Sequence, residues 1–304
     1  MALGTGDDCA VLRIPAGHET LITTDFSLEG VHFRRDWQSP ECIGHRCLAR
    51  GLSDIAAMGG NPIAAFLSLA LPAALPHKWV DRFLSGLLRL SRSHGVELAG
   101  GDTAESPGGV LADIMVVGSV KRARALLRSG ARVGDFIYVT GELGESAAAL
   151  HMLAAGKIKK RDVFPNPKIA VGEWLVRNRI ANSAIDISDG LSTDLSHICE
   201  ESSVGAAIDA DGVPIHSSAR RLSYPTCSDL PIELALHGGE DYELLFTAPK
   251  SKPISRIIAG VRVTKIGEIL REKKIFLAEN GKRILLEPHG WEHFQSRRPS
   301  PNRK

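Results

Sequence analysis

The run Ser183-Ala184-Ile185-Asp186-Ile187-Ser188-Asp189-Gly190-Leu191 constrains this chain more than any other stretch. Ser183 to Ile187 has the length and apolar character of a buried strand, and Leu191, Leu195 and Ile198 then recur at the spacing of one helical face. Two carboxylates therefore fall where a strand hands over to a helix, with Gly190 permitting a tight turn. Open α/β sheets place their ligands at that carboxyl end. Taken alone, the stretch is equally a helix cap, with Ser188 or Asp189 at the N-cap and the helix dipole favouring negative charge. Asp194 follows one helical turn later.

The same event recurs. Asp7-Asp8, Asp25, Asp102, Asp186 with Asp189, and Glu240-Asp241 each follow an apolar segment at a Gly-flanked turn or a helix edge. Asp54 stands among small and apolar residues in Leu52-Ser53-Asp54-Ile55-Ala56-Ala57-Met58. One such residue is more often a cap than a ligand, but six in like contexts point to chemistry. Charges are seldom buried unless paired or bound to metal, and converging carboxylates repel each other unless cations hold them together. Mg²⁺ suits carboxylate oxygens and bridges to phosphates. The residues thus predict a site for several Mg²⁺ ions that handles phosphate, the metals neutralising the transferred group. No G-x-x-x-x-G-K-[ST] loop, G-x-S-x-G elbow, H-E-x-x-H or kinase H-R-D loop is present, and Gly4-Thr5-Gly6 lacks the third glycine of a dinucleotide fingerprint.

Around these points helices and strands alternate. Strands are expected at 19–25, 63–71, 110–120, 136–140, 183–187, 206–208, 242–247, 261–266, 275–277 and 284–286. The segment 96–99 is read as leading straight into Gly100-Gly101-Asp102. Helices are expected at about 40–58, 79–88, 146–155 and 168–178, after Gly190, and near Ile254. With 304 residues the chain can bury two cores, so it reads as α/β or α+β with two similarly built domains. The Arg-rich connection at 121–130 divides domains 1–125 and 126–304, the latter ending in a disordered basic tail at about 296–304. A net charge of +2 with 24% charged residues gives no reason to expect nucleic acid or membrane as partner. Five cysteines without a C-x-x-C pair, a polar start and no apolar run of membrane-spanning length predict reduced thiols in a cytoplasmic protein.

Six segments carry a resemblance: Gly4 to Asp8, Thr23-Thr24-Asp25 with Glu29 to Phe33, Leu52 to Gly59, Gly100 to Thr103, Ile185 to Leu191, and Gly238 to Leu245. In kind and order they resemble the thiamine-monophosphate kinase family, across nearly the whole chain. The resemblance implies the two-domain fold of the aminoimidazole-ribonucleotide synthetase superfamily, α/β (α+β) with mixed sheets and flanking helices in each domain. It implies an N-terminal domain that binds ATP and Mg²⁺ and forms a homodimer, and a C-terminal domain that completes the site. The implied reaction is Mg²⁺-dependent, in-line transfer of the γ-phosphoryl of ATP to thiamine monophosphate, giving thiamine diphosphate and ADP without a covalent intermediate.

Position by position, Asp8, Asp25, Asp54, Asp102, Asp186 and Asp189 match metal ligands, and Thr24, Gly101, Asp102, Arg128 and Ser188 match ATP contacts. His32, Glu240 and Trp291 match contacts to thiamine phosphate. The side-chain types suit these roles, since Trp291 can stack on a cationic ring, Glu240 can oppose its charge, and Arg128 can hold phosphate as a fork. On the residues alone, His32 reads as a satisfied buried histidine and Trp291 as a core aromatic. Two alternatives remain open, another ATP-dependent synthetase of the same superfamily and a non-catalytic nucleotide-binding protein. There are two departures from the family. A helical segment before the Gly-x-Gly-Asp-Asp motif is nearly lacking, which predicts a shortened start. Gly51 stands where many members have Asn, so one polar contact of the metal region is lost or replaced.

Overall fold

The computed structural model describes residue 4 and residues 9–222, 229–279 and 281–291. Asp8 and the expected tail at 296–304 lie outside the described residues. The first half contains β1 (His18–Leu28), α1 (Pro40–Ala57), β2 (Asn61–Leu71), α2 (His77–Ser93), β3 (Glu97–Glu105) and β4 (Leu111–Lys121). Its four-stranded sheet has the order β1-β4-β2-β3, with β4 antiparallel to both neighbours and β3 parallel to β2. Helix α1 packs on β1 and β4 and against α2. Along β1 the side chains alternate: Leu21, Thr23, Asp25 and Ser27 are more covered, whereas Ile22, Thr24 and Phe26 face outward.

The second half contains β5 (Phe136–Thr140), α3 (Glu145–Ala154), α4 (Ile169–Asn178), β6 (Ser183–Ile187), α5 (Leu191–Ser202) and β7 (Gly205–Asp209). Then follow α6 (Ser217–Arg220), α7 (Leu230–His237), β8 (Glu243–Ala248), β9 (Ile257–Ile258), β10 (Val261–Leu270), β11 (Ile275–Glu279) and β12 (Lys282–Leu285). The sheet order is β12-β11-β7-β10-β5-β8-β6, with β9 added to β10, and only β11 and β7 run parallel. Among the described residues no helix is long and apolar enough to cross a membrane.

All five residues of β6 are buried, because the strand has a core on each face. Ala184 joins the core that holds Leu48, Leu52 and Ile55 of α1, Val171 and Leu175 of α4, and Phe246 of β8. Ile185 and Ile187 join a second core with Leu191, Leu195 and Ile198 of α5. Strand alternation therefore turns Asp186 to the side of Ala184, toward α1. Helix α1 touches both sheets and is the element through which the halves share one core.

Four expectations are corrected. No helix forms near Ile254; Pro249 and Pro253 remove backbone donors there, and the chain instead makes the two-residue strand β9, which pairs with the start of β10. Strand β1 continues three residues beyond Asp25, and β3 runs through Gly100-Gly101-Asp102 to Glu105, so neither carboxylate sits at a turn. Gly101 is needed there for packing as much as for any ligand: it has φ +151°, and a Cβ would lie 1.8 Å from the Leu67 carbonyl oxygen of β2. Helices α6 and α7 were not expected, since four and eight residues show too little periodicity to register as helices.

Candidate active site

Three of the expected carboxylates meet where α1 crosses between β1 and β6. Asp54 accepts a hydrogen bond from Thr23 Oγ1, Asp186 Oδ2 accepts one from Ser53 Oγ at 2.8 Å, and Asp25 lies beside Asp54. Burial first, and then the Asp54 carboxylate, push both Asp25 and Asp186 up to about 7. Arg50 opposes the rise at Asp25, and Ser53 opposes it at Asp186. Asp54 is also raised by burial, against the pull of Thr23, Asp25 and Arg128. The three thus form a desolvated cluster that resists carrying all of its negative charge, and its donors are all oxygen.

The opening turn after β6 is built differently from the expected cap. The N-cap residue is Gly190, with φ +117° and no side-chain cap, and Ser188 and Asp189 do not cap the helix. Instead Asp194, 2% exposed, reaches back: its Oδ2 accepts the N–H groups of Ser188, Asp189 and Gly190, each at 3.1 Å. Burial, with Asp186 and Asp189 nearby, raises Asp194 well above the usual carboxylate range. Asp189, Asp194 and His197 each bring one ligand atom to within 4.8 Å of the others.

Two further segments are tied to this turn. Glu240 N–H donates to Ser188 O at 2.7 Å and Tyr242 N–H to Ile187 O at 2.9 Å, which holds Glu240 and Tyr242 at φ +64° and +52°. Left-handed backbone at two non-glycine residues is a local strain that the surrounding bonds must sustain, and such strain gathers at functional sites. Asp241 between them accepts Gly144 N–H at 2.9 Å, and burial pushes it up to about 8. From the other side, Trp291 N–H donates to Asp189 O at 3.1 Å and Gly290 N–H to Thr193 Oγ1 at 3.0 Å.

A cavity of about 1100 Å³ opens over this framework. Thr24, Asp25, Asp54, Asp186, Ser188 and Asp189 line it, together with His32, Glu240 and Trp291. His32 Nδ1 accepts Leu28 N–H at 3.0 Å, so in the neutral ring the proton is on Nε2. Trp291 is half-exposed rather than a core aromatic. A second cavity of about 260 Å³ shares Asp54 and Asp186 with the first and adds Arg128. Of the expected residues, nine line the large cavity and Arg128 lines the small one. Asp102 is not brought to the group: it lies on edge strand β3, three strand spacings or about 14 Å from β1, exposed, with its Oδ1 accepting Thr103 N–H at 2.7 Å. Gly101 lies beside it on the same strand.

Sequence reasoning named Arg128 but missed two cations of the large cavity, Arg46 and Arg50. Glu240 is ion-paired with both Arg46 and Arg50 of α1. Burial pushes its carboxyl upward, but Arg46 and then Arg50 outweigh this and hold it below the usual range. The signal was present: Arg46, Arg50 and Asp54 are spaced four apart, which stacks them on one helical face. Gly51 also has a structural reason, since a Cβ there would lie 2.6 Å from Val116 Cγ2 of β4.

With this geometry in view, the chain matches two family models, AIR synthase related protein, N-terminal domain, over residues 6–120, and AIR synthase related protein, C-terminal domain, over residues 132–279. The thiamine-monophosphate kinase of Escherichia coli (strain K12) is 38% identical over 307 residues, spanning 96% of this chain and 92% of its own. A solved thiamine-monophosphate kinase from Stenotrophomonas maltophilia K279a superposes with a TM-score of 0.82 at 34% identity, covering 93% of this chain and 92% of that one. The structure of AaThiL complexed with AMPPCP and TMP superposes with a TM-score of 0.79 at 33% identity, covering 93% and 89%. The chain belongs to the thiamine-monophosphate kinase family, within the AIR synthase-related proteins.

Proposed function

We propose that this chain transfers the γ-phosphoryl group of ATP to thiamine monophosphate, forming thiamine diphosphate and ADP. The observation that carries the reading is one cavity lined both by a desolvated carboxylate cluster and by His32, Glu240 and Trp291. Membership of a family with a relative solved together with AMPPCP and TMP supports both substrates. The donor set fits Mg²⁺: hard oxygen ligands, buried and mutually repelling, favour a hard cation. Asp25, Asp54 and Asp186 would hold it, with Asp189 alongside. When bound, Mg²⁺ supplies neutralising charge for the phosphate groups.

The protein's own part is placement. His32, Glu240 and Trp291 fix the acceptor ring, and the bonds from Asp194 hold the turn that carries Ser188 and Asp189. The acceptor oxygen is already an anionic phosphate oxygen, so alignment suffices and neither a base nor a covalent intermediate is required. Arg128, facing the carboxylates from the smaller cavity, is suited to hold the donor phosphates. An assay of ADP release tests the reading. Release should depend on both Mg²⁺ and thiamine monophosphate and be absent with free thiamine; equal release without an acceptor would refute it.

Two further parts of the reading concern the state of the chain. We place it in the cytoplasm, consistent with free buried thiols at Cys42, Cys47 and Cys199. We also propose a homodimer through the N-terminal sheet, because Ile22 and Phe26, 65% and 55% exposed, leave the outer face of β1 apolar. Sedimentation should give a dimer for the wild type and a monomer for Ile22→Glu/Phe26→Glu; a wild-type monomer would exclude it.

A further inference from the structure

The floor of the large cavity carries more positive charge than the roles above use. Two guanidinium groups, Arg46 and Arg50, face the single carboxylate of Glu240. Arg46 is otherwise committed to the protein, donating to Val163 O at 3.3 Å and Ser146 Oγ at 3.4 Å. Arg50 is not: its side chain is 12% exposed, it lines the cavity, and its buried Nε has no hydrogen-bond partner among the described residues. Beside it Tyr242, 1% exposed, also lines the cavity, and its hydroxyl likewise has no partner among them. Burial keeps that phenol protonated, so it is a donor. Burial also opposes the charge of Arg50, but the Glu240 and Asp25 carboxylates favour it.

The position matters as much as the spare donors. Arg50 is ion-paired with Glu240, and its charge also acts on Asp25. It therefore borders both the carboxylate cluster and Glu240 of the group that receives the acceptor ring. An acceptor with its ring beside Glu240, His32 and Trp291 and its phosphate directed at Asp25, Asp54 and Asp186 brings that phosphate past Arg50. A dianion approaching three carboxylates needs a compensating cation on the acceptor side, and a guanidinium binds phosphate oxygens with charge and direction together. We propose that Arg50, with the Tyr242 hydroxyl beside it, recognises the acceptor phosphate and so selects thiamine monophosphate over unphosphorylated thiamine. The inference rests on the kinase reading above and assigns the phosphate-recognising residue within it.

The test separates the phosphate from the ring. In Arg50→Gln the KM for thiamine monophosphate should rise about ten- to a hundredfold. The KM for ATP, and the inhibition constant of free thiamine as a competitor, should stay within about twofold. Arg50→Lys, which keeps the charge and loses the fork, should fall between wild type and Arg50→Gln, and provides the same comparison if Arg50→Gln does not fold. An unchanged KM for thiamine monophosphate overturns the proposal. So does a parallel loss of free-thiamine binding, which would mean that Arg50 acts only through Glu240, and so does a rise confined to ATP. If the wild type itself releases no ADP with thiamine monophosphate, the kinase reading fails and this inference with it; wild-type turnover with an unaffected Arg50→Gln removes this inference alone.

Discussion

Three carboxylates held out of water around one point are unfavourable until something positive joins them. Asp25 and Asp186 lose their protons near pH 7 in the folded chain, against an ordinary value of 3.8. Between about pH 4 and 7 the folded chain therefore holds protons that the unfolded chain has already released. A group bound more tightly by the folded state makes stability fall as pH rises through that window and level off above it. Asp186, 4% exposed, is the better probe. Without metal, Asp186→Asn should be more stable than the wild type at pH 8, by about 1–4 kcal/mol, with little difference at pH 4. Thermal unfolding of both proteins across pH measures this. Mg²⁺ should raise the wild-type melting temperature at pH 8 and act much less on the variant. A pH-independent difference, or an equal Mg²⁺ response, would contradict the assignment.

At the scale of elements, α1 does most to assemble the site. It delivers Arg46, Arg50, Ser53 and Asp54 from one helix and packs on strands of both sheets. Gly51 lets it approach the first sheet, because a Cβ would press on Val116 Cγ2 at 2.6 Å. In an open helix Gly→Ala gains about 1 kcal/mol of helix propensity; here the overlap with a stiff, buried Val should outweigh it. Gly51→Ala is expected to destabilise the chain by about 1–2 kcal/mol net in denaturant unfolding. A stabilised variant would show that α1 can shift freely.

The same elements show what could be read beforehand. The strand-to-helix turn at 183–191 was legible because an apolar run, a glycine and a 3.6-residue repeat coincide there. The function of Asp194 was not, since a side chain bonding backward to three N–H groups leaves no periodic trace. Asp25 and Asp102 looked like end-of-strand residues, yet both strands run on, because pairing with β4 and β2 continues beyond them. The arginines were missed for another reason: the four-residue spacing that places Arg46 and Arg50 on the face of Asp54 is also the spacing of charges along an ordinary solvated helix face.

For the whole molecule, the main consequence is that neither half holds the carboxylate cluster alone. Asp25 and Asp54 come from the first half and Asp186 from the second, and their alignment depends on the core in which Leu52 and Ile55 meet Val171, Leu175 and Phe246. Separate docking of two domains would leave such a cluster loosely positioned; a shared core fixes it. The most direct test is a double-mutant cycle on Asp54→Asn and Asp186→Asn, read as kcat/KM for ADP release with thiamine monophosphate and Mg²⁺. If the two carboxylates form one site, each single variant should lose about a hundredfold or more and the double variant little beyond the larger single loss. Losses that multiply, as for independent residues, would contradict a site shared between the halves.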